Sequence, residues 1–379
     1  MLLVRGANVF APEPLGVRDL LLAGGTVVAI APELPSVQNW PQVQTIEAEG
    51  LVMVPGLVDS LVHVSGGGGE GGFATRTRAL EADQALAAGV TTVIGALGTD
   101  DSTRSHADLL ACCRALANEG LSAFALSGSY HVPLRTLTGC LRDDLVLIPD
   151  LIGVGEVAIA DHRGSQPSVA ELARIATEAR VGGMLSGKAG TVLIHVGDAD
   201  DQLQLLDAVV EQHAVSRELF LPTHCNRSRR LFDAARRWMA AGGFADLTTS
   251  TTDGLIEAGE VPAADALLEL IDDSTMSGRI SLSSDAQASL PQFDAEGRLQ
   301  AMAVAEIGSL LDTLRQCWKR RPDRFTEILA AATSTPADVW GLAGKGRVRV
   351  GADADLLLLD PDGYLPRAVI AAGRYRVLG

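Results

Sequence analysis

Lysine is nearly missing from this chain. Lys188, Lys319 and Lys345 stand against 28 arginines, so a lysine-based chemistry has few places to reside. Basic charge is short overall. The 31 lysines and arginines face 47 acidic residues, for a net charge of −16. A nucleic-acid binder presents a basic face, so that class of partner is not expected. Paired cysteine motifs are absent too. Cys112, Cys113, Cys140, Cys225 and Cys317 show no CxxC spacing, which argues against a thiolate zinc site or a redox pair. Reduced thiols in a cytoplasmic protein are the expectation. The opening MLLVRGANVF is too short and too soon interrupted for a secretory leader. No apolar run reaches the length that spans a bilayer, so no membrane partner is expected.

What is present is ample apolar residue for a core. Of 379 residues, 47% are hydrophobic and 21% charged, enough for one large domain or two ordinary ones. The first fifty residues and the last forty read as short β-branched strands broken by Gly and Pro. They predict one small β unit, a β-sandwich built from both termini, over 1–53 and 341–379. The stretch 54–340 has another rhythm. Continuous apolar runs (LVDSLVHV, TTVIGAL, SAFALSGSY, LIGVGEVAI, TVLIHVG, ELFLPTHC, FADLTTS, RISLSS) alternate with segments of helical spacing such as VAELARIATEAR. Buried parallel strands read as unbroken hydrophobic runs. Eight of them with intervening helices predict an α/β fold, a (β/α)8 TIM-like barrel; a doubly wound sheet is the competing architecture.

Catalytic groups of such a barrel sit at the C-terminal ends of its strands. Read in order, those ends carry His63, then Thr99 and Asp100, then Tyr130 and His131. Glu156 follows inside the fourth run, ahead of Asp161, His162 and Arg163; then come His195, His224 with Arg227, and Asp285. Three of the seven histidines close a run. Imidazoles on separate strands beside Glu156 and Asp285 suit a metal such as Zn²⁺, Fe²⁺ or Mn²⁺ better than a set of unrelated structural histidines.

The segments PGLVD (55–59), GGGGE (66–70), GTDDSTR (98–104), SYHVPLRT (129–136), DHR (161–163), PTHCNR (222–227) and LSSD (282–285) together resemble the amidohydrolase superfamily, and within it the isoaspartyl dipeptidases. The resemblance covers nearly the whole chain. It implies a metal-dependent hydrolase that cleaves the isopeptide bond of β-aspartyl dipeptides with an activated water. It also implies zinc as cofactor, a small dipeptide as partner molecule and a homo-oligomer. By resemblance His195 and His224 bind one metal and Glu156 bridges two. Many members use a carbamylated lysine at the bridging position, but only Lys188 lies near a strand, and it precedes one. Asp285 would contact the first metal and act as general base, although an aspartate there also suits a helix cap. Glu70 would take the substrate's free amine. Arg163 and Arg227 would read its carboxylates, Tyr130 would stabilise the oxyanion, and Thr99 and Ser289 would make lesser contacts.

One ligand of that pattern is missing. Members carry His-x-His at the end of the first strand; here residue 61 is leucine, and His63 stands alone. The site at Glu156, His195 and His224 is complete on paper, and the site at His63 and Asp285 is weakened. Three readings follow: a working isoaspartyl dipeptidase, a one-metal N-acyl-amino-acid hydrolase akin to the D-aminoacylases, or a metal-binding homologue with little turnover. The retained Glu70, Arg163, Arg227, Tyr130 and Asp285 favour the first.

Overall fold

Five strands open the chain: β1 (Leu2–Phe10), β2 (Pro14–Ala23), β3 (Thr26–Ala31), β4 (Gln44–Glu47) and β5 (Val52–Pro55). The computed structural model describes residues 1–35, 42–276, 278–293 and 299–378. Strand β1 is not straight. It pairs with β4 over Leu2–Arg5 and with β5 at Asn8 and Val9, and its register with β2 slips between Val4 and Ala7. Gly6, with φ 69, lies inside the slip, where a left-handed residue permits the bulge.

The eight apolar runs of the middle are all strands: β6 (Leu57–Val62), β7 (Val90–Gly95), β8 (Ser122–Ser127), β9 (Leu151–Ile159), β10 (Thr191–Val196), β11 (Phe220–Thr223), β12 (Ala245–Thr248) and β13 (Ile280–Ser283). Every residue of β9 is buried, as expected of a strand covered on both faces. Strands β6 to β11 pair in sequence order, all parallel, and β12 pairs in parallel with β13. Three backbone hydrogen bonds join these groups, at two places. Cys225 N–H donates to Asp246 O (3.1 Å) beside β11 and β12. Asp285 N–H donates to Leu61 O (3.1 Å), and His63 N–H to Ala286 O (2.9 Å), between the ends of β13 and β6. The parallel sheet therefore curls round until its last strand meets its first, which fits a barrel. Within the ring Leu61, Ile94, Leu126, Ile152, Leu193 and Leu221 share a buried cluster with Trp340.

The helices follow local rules. Val169–Ser186 starts at Ser168, whose hydroxyl accepts from Glu171 N–H while the Glu171 carboxylate reaches back to the Ser168 N–H. This reciprocal cap satisfies two backbone donors the helix would otherwise leave open. Past β13 comes a hairpin, β14 (Ser289–Phe293) and β15 (Leu299–Val304). The chain then returns to its start. Strands β16 (Leu356–Leu359), β17 (Pro366–Ala371) and β18 (Arg374–Val377) join β5 so that both termini share one eight-stranded sheet. Its buried cluster holds Val4, Leu20, Leu22, Met53, Leu356 and Leu358. Among the described residues no helix is long and apolar enough to cross a membrane.

Candidate active site

The cluster lies where the parallel strands end. His63 directly follows β6, Glu156 sits inside β9, His195 is the penultimate residue of β10, and His224 and Asp285 follow β11 and β13. His224 (φ 62) and Asp285 (φ 56) both adopt the left-handed region that non-glycine residues avoid. Such conformations persist where surrounding structure over-determines them, and they concentrate at functional sites.

All five side chains are buried. Glu156 is the hub: its Oε2 lies 3.4 Å from His195 Nδ1 and 3.6 Å from His224 Nε2, and its Oε1 lies 3.6 Å from His63 Nε2. Among the described residues Glu156 Oε2 has no hydrogen-bond partner, which a buried carboxylate oxygen rarely tolerates. Glu156, His195 and His224 are also the one group of three potential metal ligands found among the described residues, their ligand atoms all within 4.8 Å of one another. Ligands about 2.0–2.1 Å from a tetrahedral ion stand about 3.4 Å apart, so the spacing and the orphaned oxygen both fit a cation. Outer contacts orient the rings. His224 Nδ1 faces Thr248 Oγ1 at 2.7 Å, and His195 Nε2 faces Asp161 Oδ2 at 2.8 Å. Partners of this kind typically set the tautomer of a metal-binding histidine.

The other half is different. His63 Nε2 lies 3.2 Å from Asp285 Oδ1, a close contact that lacks hydrogen-bond alignment, and its Nδ1 lies 3.2 Å from Ala96 O. Leu61 is fully buried and belongs to the apolar cluster inside the ring, so no donor stands at that position.

Charge is distributed to match. Burial opposes ionisation of Glu156, but His195 and His224 outweigh it and hold this carboxyl well below the usual range. Burial opposes the His63 cation as well, yet Asp285 and Glu156 lift it to about 9. Burial, then the neighbouring His195, lowers His224. The Tyr130 hydroxyl, pushed up by burial and by Glu156, lies 2.7 Å from His195 Nδ1.

Around this centre stand the other residues singled out from the sequence. Glu70 is exposed at the end of the glycine run and accepts from Ser289 Oγ at 2.9 Å. The run needs glycine at Gly66: φ is 85, and a Cβ there would meet Thr77 O at 2.5 Å. Arg104, buried, donates to Ser65 O, to Gly67 O (2.8 Å) and to Thr77 O (3.2 Å), tying that loop down. Arg163 stacks over Tyr130 with its Cζ 5.6 Å from the ring centre. Arg227 Nη2 comes within 3.9 Å of Asp285 Oδ2. Thr99 is half-buried after β7, and its carbonyl lies 3.2 Å from His131 Nε2. Reasoning from sequence gave no role to the carboxylates behind the two arginines. Asp161 binds Arg163 through both oxygens, and Glu260 accepts from Arg227 Nη1 at 2.6 Å. Asp161 was visible as a strand-end acid two residues before Arg163; Glu260, 33 residues beyond Arg227, left no local signal.

Comparison with known proteins identifies the family. The Amidohydrolase family profile matches residues 52–376. A β-aspartyl dipeptidase from Fervidobacterium islandicum AW-1, solved in complex with the β-Asp-Leu dipeptide, is 37% identical, covers 100% of this chain and 97% of its own, and superposes with a TM-score of 0.91. An allantoinase of Rubrobacter xylanophilus is 26% identical over 96% of this chain and 86% of its own length. An adenine deaminase of Deinococcus radiodurans matches locally, 40% identical over 65 residues, so the chain spans only 11% of that relative. The protein is a hydrolytic enzyme, and its chain belongs to the amidohydrolase family.

Proposed function

We propose that this protein is a zinc-dependent dipeptidase that hydrolyses β-aspartyl dipeptides. The observation that carries the reading is the buried Glu156–His195–His224 trio with its unpartnered carboxylate oxygen, set beside Glu70, Arg163 and Arg227. The 37% identity over the whole chain to a β-aspartyl dipeptidase supports the substrate class. Glu156, His195 and His224 would hold the ion, which when bound would supply Lewis acidity toward water and the scissile carbonyl. The chain's own groups do the rest. Asp285, 3.2 Å from His63 Nε2, accepts the proton of the attacking water and returns it to the departing amine. Tyr130, whose hydroxyl is kept protonated by burial, donates to the oxyanion. Glu70 takes the substrate's free α-amino group at the loop edge. Arg163 and Arg227 read its carboxylates, with Thr99 and Ser289 at the margin.

Leu61 makes this a one-ion enzyme in our reading. His63 retains Asp285 and Glu156 as neighbours, but among the described residues no third donor of its own closes a second site. The division into a barrel over 54–340 and a terminal unit over 1–53 and 341–379, folded as a sandwich about the kink of β1 at Gly6, is part of the same proposal. So are a cytoplasmic location and a homo-oligomer.

The test is a substrate pair. β-Asp-Leu should be hydrolysed, its N-acetylated form should not, and N-acyl-D-amino acids should be poor substrates. Equal rates on free and acetylated dipeptide would remove Glu70 from amine recognition. Preference for the acyl-D-amino acid would move the enzyme to the aminoacylase class.

A further inference from the structure

Asp161 has no part in the reaction outlined above, yet it touches both the His195 ring and the Arg163 guanidinium. Its side chain is 3% exposed. Oδ1 accepts from the Arg163 backbone N–H (2.7 Å) and from Arg163 Nε (3.0 Å). Oδ2 accepts from Arg163 Nη2 (2.6 Å) and lies 2.8 Å from His195 Nε2. A single carboxylate thereby holds a ring that faces the ion position and a guanidinium that faces the substrate. The chain of contacts runs on: Arg163 Nη1 lies 3.9 Å from Glu70 Oε1. The close approach is built into the backbone. A Cβ on Gly197, two residues past His195, would lie 2.3 Å from Ala160 O and 2.6 Å from Asp161 Cα, so only glycine lets these two strand ends meet.

We propose that Asp161 is a positioning residue that couples the metal ligand His195 to the carboxylate reader Arg163, so that a substrate carboxylate on Arg163 tightens metal binding at Glu156, His195 and His224. The inference rests on the dipeptidase reading and deepens it. A histidine ligand whose second nitrogen donates to a carboxylate is a more basic and better-aimed ligand. Here Oδ2 faces both His195 Nε2 (2.8 Å) and Arg163 Nη2 (2.6 Å), and these two nitrogens lie 3.2 Å apart; with Nδ1 turned to the ion, Nε2 would carry the hydrogen that Oδ2 accepts. A substrate carboxylate competes for the guanidinium and leaves more of the Asp161 charge to His195. Linkage is reciprocal, so the ion must strengthen carboxylate binding by the same factor.

The experiment is a zinc competition titration against a chromophoric chelator, with and without L-aspartate, on wild type, Asp161→Asn and Arg163→Met. Asp161→Asn should weaken zinc about 10- to 100-fold. Aspartate should tighten zinc about 5-fold or more in wild type and have no effect in either variant. Without aspartate, Arg163→Met should hold zinc at least as firmly as wild type, because Asp161 then serves His195 alone. Unchanged zinc affinity in Asp161→Asn overturns the proposal. So does an aspartate effect that survives in that variant, the result expected if aspartate merely coordinates the ion. Should Asp161→Asn fail to fold, the Arg163→Met arm still decides, since weakened zinc binding there contradicts the coupling. A wild-type chain that takes up no zinc overturns the metal reading and this inference with it. Zinc uptake indifferent to Asp161 leaves that reading standing and overturns this inference alone.

Discussion

Leu61→His exchanges a buried isobutyl group for an imidazole two residues before His63. Leu61 is fully buried in a cluster with Ile94, Leu126, Ile152, Leu193 and Leu221. Without metal the exchange leaves poorer packing and a polar ring against an apolar wall, at a cost of about 2–5 kcal/mol. With metal the ring gains a purpose. His63 Nε2 already stands 3.2 Å from Asp285 Oδ1 and 3.6 Å from Glu156 Oε1, and a histidine at 61 would add the missing donor. An ion present at 100 times its dissociation constant returns about 2.7 kcal/mol by mass action. The variant should therefore be less stable than wild type in chelator and regain much of that loss in zinc. Its metal content should rise from one ion per chain toward two, with a higher kcat. Elemental analysis after gel filtration, paired with denaturation at graded zinc concentrations, measures both. Two tightly held ions in the unmodified protein would refute the one-ion reading. A variant whose stability ignores zinc would show that the apolar wall aims the new ring elsewhere.

Asp285→Asn should keep its bound zinc and lose about 10²- to 10⁴-fold in kcat, the usual contribution of a general acid–base group; near wild-type turnover would exclude it from proton transfer. Arg227→Met should raise KM, since a charge-assisted hydrogen bond is worth about 1.5–3 kcal/mol. It should also destabilise the fold, because buried Glu260 loses its 2.6 Å partner, and adding Glu260→Gln should restore stability without restoring KM. Burial lifts Asp59 to about 7, an effect that its backbone contacts with Ser284 and Leu61 do not cancel. A folded pKa above the unfolded one means the native state holds the extra proton, so this residue costs stability as pH rises from about 4 to 7. Asp59→Asn keeps the amide contacts through its carbonyl oxygen. Its stability should fall less across that window than wild type in pH-dependent denaturation, and parallel curves would refute the assignment.

The sequence determined what depends on neighbours along the chain. LIGVGEVAI became β9 residue for residue, because an unbroken apolar run is what a strand buried on both faces requires. The capping box at Ser168 and Glu171 and the glycines before Glu70 are equally local. The gap at Leu61 was legible for the same reason: side chains two apart on a strand share a face. Strands read as ending at His63 and His224 stop at Val62 and Thr223, and in the second case His224 turns to φ 62 straight after the strand. Tertiary structure decided whatever needed residues far apart to meet. Closure of the ring through Leu61 and Asp285 is one such outcome. Others are Glu260 behind Arg227 and the Lys188 ammonium spent on the carbonyls of Leu145, Ile148 and Leu151. The division of Asp161 between His195 and Arg163 is the clearest case. Its sequence neighbourhood shows an acid beside an arginine, but only the parallel packing of β9 against β10, through the space left by Gly197, puts the His195 imidazole within reach of the same oxygen.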